Sequence, residues 1–253
     1  MFHMKQILSG IVATIILIAQ IEKASADVYW NNNNGSAPGG DRSWGNAANW
    51  SGGGAGTLPS AAGAGNAIVK PWPNLTQMPI VNTLGNTANQ VYLTEGSSLS
   101  VVGGGSLSVS SYVTGEWNDC GVTDVSGGLL QAGSLLLGNG GFDGKINISG
   151  GNVIANYLSI NTSRGALMNI GTNGSFVAAE SNLANINFWI NNNAIRAQDG
   201  LAGWVINVDT ASQAGKVVLT AVNVASIPEP STFATLGTGL VLLCVTRSLR
   251  RKS

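Results

Sequence analysis

Four stretches of this chain repeat one another, and that repetition limits the architecture more than any other feature. They read Ser100-Val101-Val102-Gly103-Gly104 followed by Leu107 and Val109, then Asp124-Val125-Ser126-Gly127-Gly128 followed by Leu130 and Ala132. The third is Asn147-Ile148-Ser149-Gly150-Gly151 with Val153 and Ala155, and the fourth is Asn169-Ile170-Gly171-Thr172 with Phe176 and Ala178. Their leading apolar residues Val101, Val125, Ile148 and Ile170 recur at intervals that shorten by one at each step, giving a period of about 23 residues. A period that drifts in this way suits stacked coils of a β-solenoid, where extra residues bulge at corners while inward positions keep register. Within each repeat apolar residues alternate with small polar ones, as at Leu135 and Leu137 or Leu158 and Ile160. A period of two marks a strand. Equivalent residues of successive coils would then stack at about 4.8 Å.

A β-sandwich also suits short alternating strands separated by turns. The recurrence of the same local sequence with the same Gly-Gly corner favours the solenoid over it. These repeats resemble the right-handed parallel β-helix shared by pectate-lyase-like enzymes and autotransporter passenger domains. The resemblance implies an all-β body, a β-solenoid of right-handed coils, each as long as one interval of the repeat.

Around the repeats of residues 99–178 the body divides into an opening segment, 27–98, and closing strands, 179–226. The opening holds Tyr29-Trp30, then Trp44-Gly45-Asn46-Ala47-Ala48-Asn49-Trp50, then Leu58-Pro59 and the strand-like Ala67-Ile68-Val69. It looks like the tryptophan-rich start that precedes β-helical repeats in large secreted bacterial surface proteins. Trp30, Trp44 and Trp50 either lie over the first coil as a cap or stack on the apolar faces of carbohydrate rings. After Ala178 the runs Ile186-Asn187-Phe188-Trp189-Ile190, Trp204-Val205-Ile206-Asn207-Val208 and Lys216-Val217-Val218-Leu219 are rich in β-formers. They are expected to form the last coils or a closing hairpin, with Trp189 and Trp204 covering the open sheet edge.

Both ends of the chain read as addresses. Lys5, an apolar run over residues 7–21 and Ala24-Ser25-Ala26 make a secretory signal peptide, 1–26, to be cut by signal peptidase before Asp27. The tail begins with Ile227-Pro228-Glu229-Pro230, continues with an uncharged apolar run from Phe233 to Thr246, and ends in Arg247, Arg250, Arg251 and Lys252. Two prolines hold the entry extended and resist helix formation. The apolar run falls short of the roughly 20 residues that span a bilayer comfortably. The basic end orients it toward the cytoplasm.

This tail, 227–253, resembles the PEP-CTERM sorting signal of Gram-negative bacteria, with Pro228, Glu229 and Pro230 as the motif and the basic residues as the membrane stop. The resemblance implies a short transmembrane helix, transient anchoring in the inner membrane, cleavage by an exosortase, and delivery to the cell surface or the extracellular matrix.

Chemistry is sparse in between. The body carries six basic and ten acidic residues, a formal charge of −4, with no basic cluster, which argues against nucleic acid as a partner. The sole histidine, His3, lies in the signal peptide, so the body has no Ser-His or Cys-His pair and no histidine metal ligand. Cys120 is the body's one cysteine; it is either a small buried apolar residue or a reactive thiol. Glu116, Asp119 and Asp124 fall close in sequence, and a β-helix glycosidase or lyase would bring such carboxylates together with a basic group such as Lys145 or Arg164. The Gly- and Asp-rich segment Gly138-Asn139-Gly140-Gly141-Phe142-Asp143-Gly144 is similar to a calcium-binding nonapeptide, but it occurs once and Asp143 has the wrong offset. The expectation is an exported, non-catalytic scaffold without metal or cofactor. The alternative is a protein that binds or acts on extracellular polysaccharide.

Overall fold

Alternating side chains let a strand bury one face, and the Gly-rich corners let the chain turn and lay the next repeat beside the last. In the computed structural model, which describes residues 27–31, 41–52, 58–59, 66–70, 77–94, 96–116, 121–139 and 142–224, the strands join in one curled, fourteen-stranded sheet. They are β1 (Val28–Trp30), β2 (Trp50–Gly52), β3 (Ala67–Val69), β4 (Ile80–Val81), β5 (Asn86–Thr94), β6 (Ser98–Val101) and β7 (Ser106–Glu116). There follow β8 (Gly121–Val125), β9 (Leu129–Leu137), β10 (Gly144–Ile160), β11 (Leu167–Ala179), β12 (Ile195–Ala197), β13 (Trp204–Asp209) and β14 (Lys216–Asn223). Among the described residues there is one α-helix, α1 (Leu183–Asn191), and no helix long and apolar enough to cross a membrane. The segments expected to be a signal peptide, 1–26, a sorting motif at Pro228, Glu229 and Pro230, and a basic membrane stop lie outside the described residues.

Each strand of the repeat region pairs in parallel with its equivalent one repeat later. Val81, Val101, Val125, Ile148, Ile170 and Ala197 form one continuous column. A second runs through Leu107, Leu130, Val153 and Phe176, and a third through Val28, Ala67, Val91, Tyr112, Leu135 and Leu158. All three columns are buried in a single core. The spacing of Val101, Val125, Ile148 and Ile170 thus translates directly into register. Antiparallel pairs among the described strands occur only at the two ends, in β1–β2 and in β11–β14–β13. A sandwich of antiparallel neighbours is not what forms.

The corner glycines are set by the same stacking. Gly151 has φ +77°, and a Cβ there would lie 2.5 Å from the backbone N and O of Gly128 in the preceding repeat. No side chain fits between backbones at that approach.

The closing segment departs from expectation at one place. Residues 186–190 are not a strand but the middle of α1, with Ile186 and Trp189 buried and Phe188 53% exposed. Leu183, Ile186 and Ile190 share one face at helical spacing, and all three lie against the core. Helical periodicity therefore outweighs the β propensity of the individual residues. Beyond it, β13 and β14 form the expected hairpin, laid antiparallel on β11. Trp189 is buried, and Trp204 is half-buried against the core.

One polar pair sits deep within the third column. Tyr112 is fully buried, and its hydroxyl lies 2.9 Å from Thr123 Oγ1. Burial pushes the Tyr112 phenol above its ordinary range; the Thr123 bond lowers it partly, and the Asp124 carboxylate adds to the rise. Because the unfolded chain releases this proton at pH ~10 while the folded one holds it, stability falls as pH rises past that value. Tyr112→Phe should remove that alkaline slope while lowering stability at neutral pH by about 1–2 kcal/mol, since Thr123 is left without its partner. Urea unfolding of both proteins across the alkaline range measures both effects.

Candidate functional site

The opening segment builds Trp30, Trp44 and Trp50 into the core. Ser43 pairs with Ile80, so Trp44 stands at the head of the column that begins with Val81. Trp30 faces Trp50 across the β1–β2 pair. The rings of Trp30 and Trp50 meet edge to face with centroids 5.1 Å apart, and those of Trp44 and Trp50 do so at 4.7 Å. Trp30 Nε1 donates to the Gln77 carbonyl at 3.1 Å, and Trp50 Nε1 donates to the Trp44 carbonyl at 2.9 Å. Asn49, fully buried between these tryptophans in sequence, donates its Nδ2 to the carbonyls of Asp41 and Ser43.

With Trp30, Trp44 and Trp50 only 2%, 1% and 2% exposed, none offers a ring face to a sugar. The reading of these three as carbohydrate contacts is corrected accordingly. Each ring gains more by closing the end of the core than by staying half-wet, and Trp30 and Trp50 also satisfy their indole N–H groups there.

Among the described residues, the charged side chains suggested by the sequence do not converge. Glu116 ends β7, opposite Thr94, while Asp119 and Cys120 lie outside the described residues. Asp124 faces outward, half-buried, and accepts a 2.8 Å hydrogen bond from Asn147 Nδ2 one repeat on. Lys145 is exposed between Val122 and Leu167, and Arg164 is exposed in a short turn. Asp143 approaches Gly165 rather than other carboxylates. Among the described residues no three His, Cys, Asp or Glu side chains group as a metal site would need.

What the register does assemble is a set of outward polar rows. Ser100, Asp124, Asn147, Asn169 and Arg196 stack on one face, where Asn169 Oδ1 also accepts from the Asp199 backbone at 2.7 Å. On another, Asn152 accepts from Ser175 Oγ at 2.7 Å. A third face carries Gln90, Ser111, Ser134 and Tyr157 in register. Tyr157 is 53% exposed. Beside it on β10, Ser159 borders a shallow depression of about 240 Å³ lined by Leu136, Leu137, Gly138, Asn139, Ser159 and Asn161. None of these six residues is ionisable. No protein-family model, curated protein or solved structure matches the chain.

Tyr157 was not singled out in the sequence. Its signal was parity alone: Leu158 and Ile160 point inward, so Tyr157 and Ser159 point out.

Proposed function

We propose that this is an exported cell-surface or matrix scaffold, whose body is a right-handed parallel β-helix displaying a neutral polar surface, and which is sorted through its PEP-CTERM-like tail. The observation that carries the reading of the body is the composition of the outward rows, where Ser, Asn, Thr and Gln recur in register with few charges. Such rows keep a long parallel sheet soluble without creating the charge groove that a polysaccharide lyase or hydrolase would use. The one-repeat offset of the parallel pairs is the offset that successive coils of a β-helix require. The sorting half of the reading rests on residues 227–253 of the sequence.

Export and sorting are tested together by mass spectrometry of the surface and secreted fractions. The expected mature protein starts at Asp27, ends near Pro228 to Pro230, and lacks Arg247, Arg250, Arg251 and Lys252. Recovery of the intact tail in all exported material overturns the sorting assignment. Release of product from pectate or alginate by the purified protein overturns the non-catalytic one.

A further inference from the structure

We infer that the outer face around Tyr157 is a binding site for a neutral oligosaccharide. The inference rests on the surface-scaffold reading and gives that surface a ligand. Tyr157 and Ser159 are outward neighbours on β10, about 7 Å apart along the strand, so the exposed Tyr157 shares its face with Ser159, which lines the depression, although Tyr157 itself does not. The depression is built from two successive repeats, because Leu136 of β9 pairs with Ser159 of β10. Leu136 supplies an apolar patch in its lining. Ser159, Asn139 and Asn161 supply hydroxyl and carboxamide groups around it.

Asn161 is already oriented by its own turn. Its Oδ1 accepts from the Ser163 backbone at 3.3 Å and from the Ser163 hydroxyl, 2.6 Å away. That arrangement commits the acceptor end of the carboxamide and turns its Nδ2 donors to other partners.

An exposed aromatic ring on the same strand face as neutral donors and acceptors matches a sugar ring, whose C–H face is apolar and whose rim is hydroxylated. Among the described residues, the six that line the depression carry no ionisable group, which disfavours uronates, phosphates and sulfates, since these need a cation to offset the desolvation of their charge. The tryptophans that the sequence offered for this role are buried, whereas Tyr157 presents its ring to solvent. A shallow site with one aromatic platform gives modest affinity per site. Presentation of many copies on a surface raises the avidity for a polymer.

The test measures retention of the purified full-length protein by affinity electrophoresis in laminarin, in xylan and in polygalacturonate, with calorimetric titration by laminarihexaose and cellohexaose. Binding to at least one neutral probe is expected, with polygalacturonate bound more weakly. Tyr157→Ala should weaken that binding about tenfold while leaving the unfolding transition in place, because Tyr157 is exposed and is not part of the buried core. Tyr157→Phe should keep most of the affinity, which separates stacking from hydrogen bonding by the phenol. The proposal is overturned if no neutral probe binds, if polygalacturonate binds best, or if Tyr157→Ala leaves retention unchanged. Product release would instead count against the scaffold reading, so the two failures are distinguishable.

Discussion

Replacing Ile148 by Asp should unfold the body or destabilise it by about 4 kcal/mol or more, while Asp at the adjacent Ser149 should stay within about 0.5 kcal/mol of the parent. Ile148 is fully buried, with Val125 in register on one side and Ile170 on the other. An aspartate there loses the apolar contacts of both neighbours. It also places a carboxyl group where the adjacent rungs of the column are valine and isoleucine. Protonation lessens the charge penalty but leaves a polar group without a partner, so the loss remains large. Ser149 is the next residue along β10 and is exposed, so a carboxylate at that position keeps its water. Urea unfolding of the two variants reads the difference directly. Equal losses at both positions would overturn the assignment of inward and outward faces for the entire ladder, since every column inherits its parity from the same register.

That register was legible in the sequence because the repeat marks it four times over. Val101, Val125, Ile148 and Ile170 each precede a small or glycine-rich corner, so aligning the corners aligns the columns. Nothing comparable marks the ends. The run from Ile186 to Ile190 is too short for a period of two to be told from one of 3.6, and its β-formers pointed to the wrong element. What decides it is Leu183, one helical turn earlier, which completes the apolar face of α1.

The opening segment was harder for a different reason. Whether a tryptophan cluster is a cap or a platform depends on which side of the chain faces the core, and no local pattern states that. The deciding contact is the pairing of Ser43 with Ile80, far along the sequence, which turns Trp44 inward above Val81. The surface depression was out of reach for the same physical cause. Leu136 and Ser159 come from different repeats and become neighbours only once β9 and β10 are paired. Parity could expose Tyr157, but it could not supply the residues that surround it.

Asn182→Ala should lower stability by about 3 kcal/mol, a large effect for a truncation to alanine outside the hydrophobic columns. The pairing of β10 with β11 runs out at Ala155 and Ala178, so the end of β10, residues 156–160, has β9 on one side and, among the described residues, no strand on the other. A parallel partner would have supplied one N–H to the Asn156 carbonyl and one C=O to the Leu158 amide. Asn182 supplies both from its side chain: Nδ2 donates to Asn156 O at 2.9 Å, and Oδ1 accepts from Leu158 N at 3.2 Å. The same Nδ2 also donates to Ala179 O at 3.0 Å, which fixes the carboxamide to the end of β11. A carboxamide carries the donor and acceptor of a peptide unit, so this one side chain stands in for the next rung of the sheet. Asn182 is only 4% exposed, so water cannot simply replace it when it is removed. Asn192→Ala is the matched control, because its Nδ2 donates to the Phe188 carbonyl at 2.8 Å on an exposed surface and should change stability by no more than about 0.5 kcal/mol. Hydrogen exchange at Leu158 gives a second readout that a global change in stability does not mimic. In Asn182→Ala the Leu158 amide should exchange faster by a larger factor than amides paired between β10 and β11, and uniform acceleration across β10 would show that Asn182 does not act as a local edge partner.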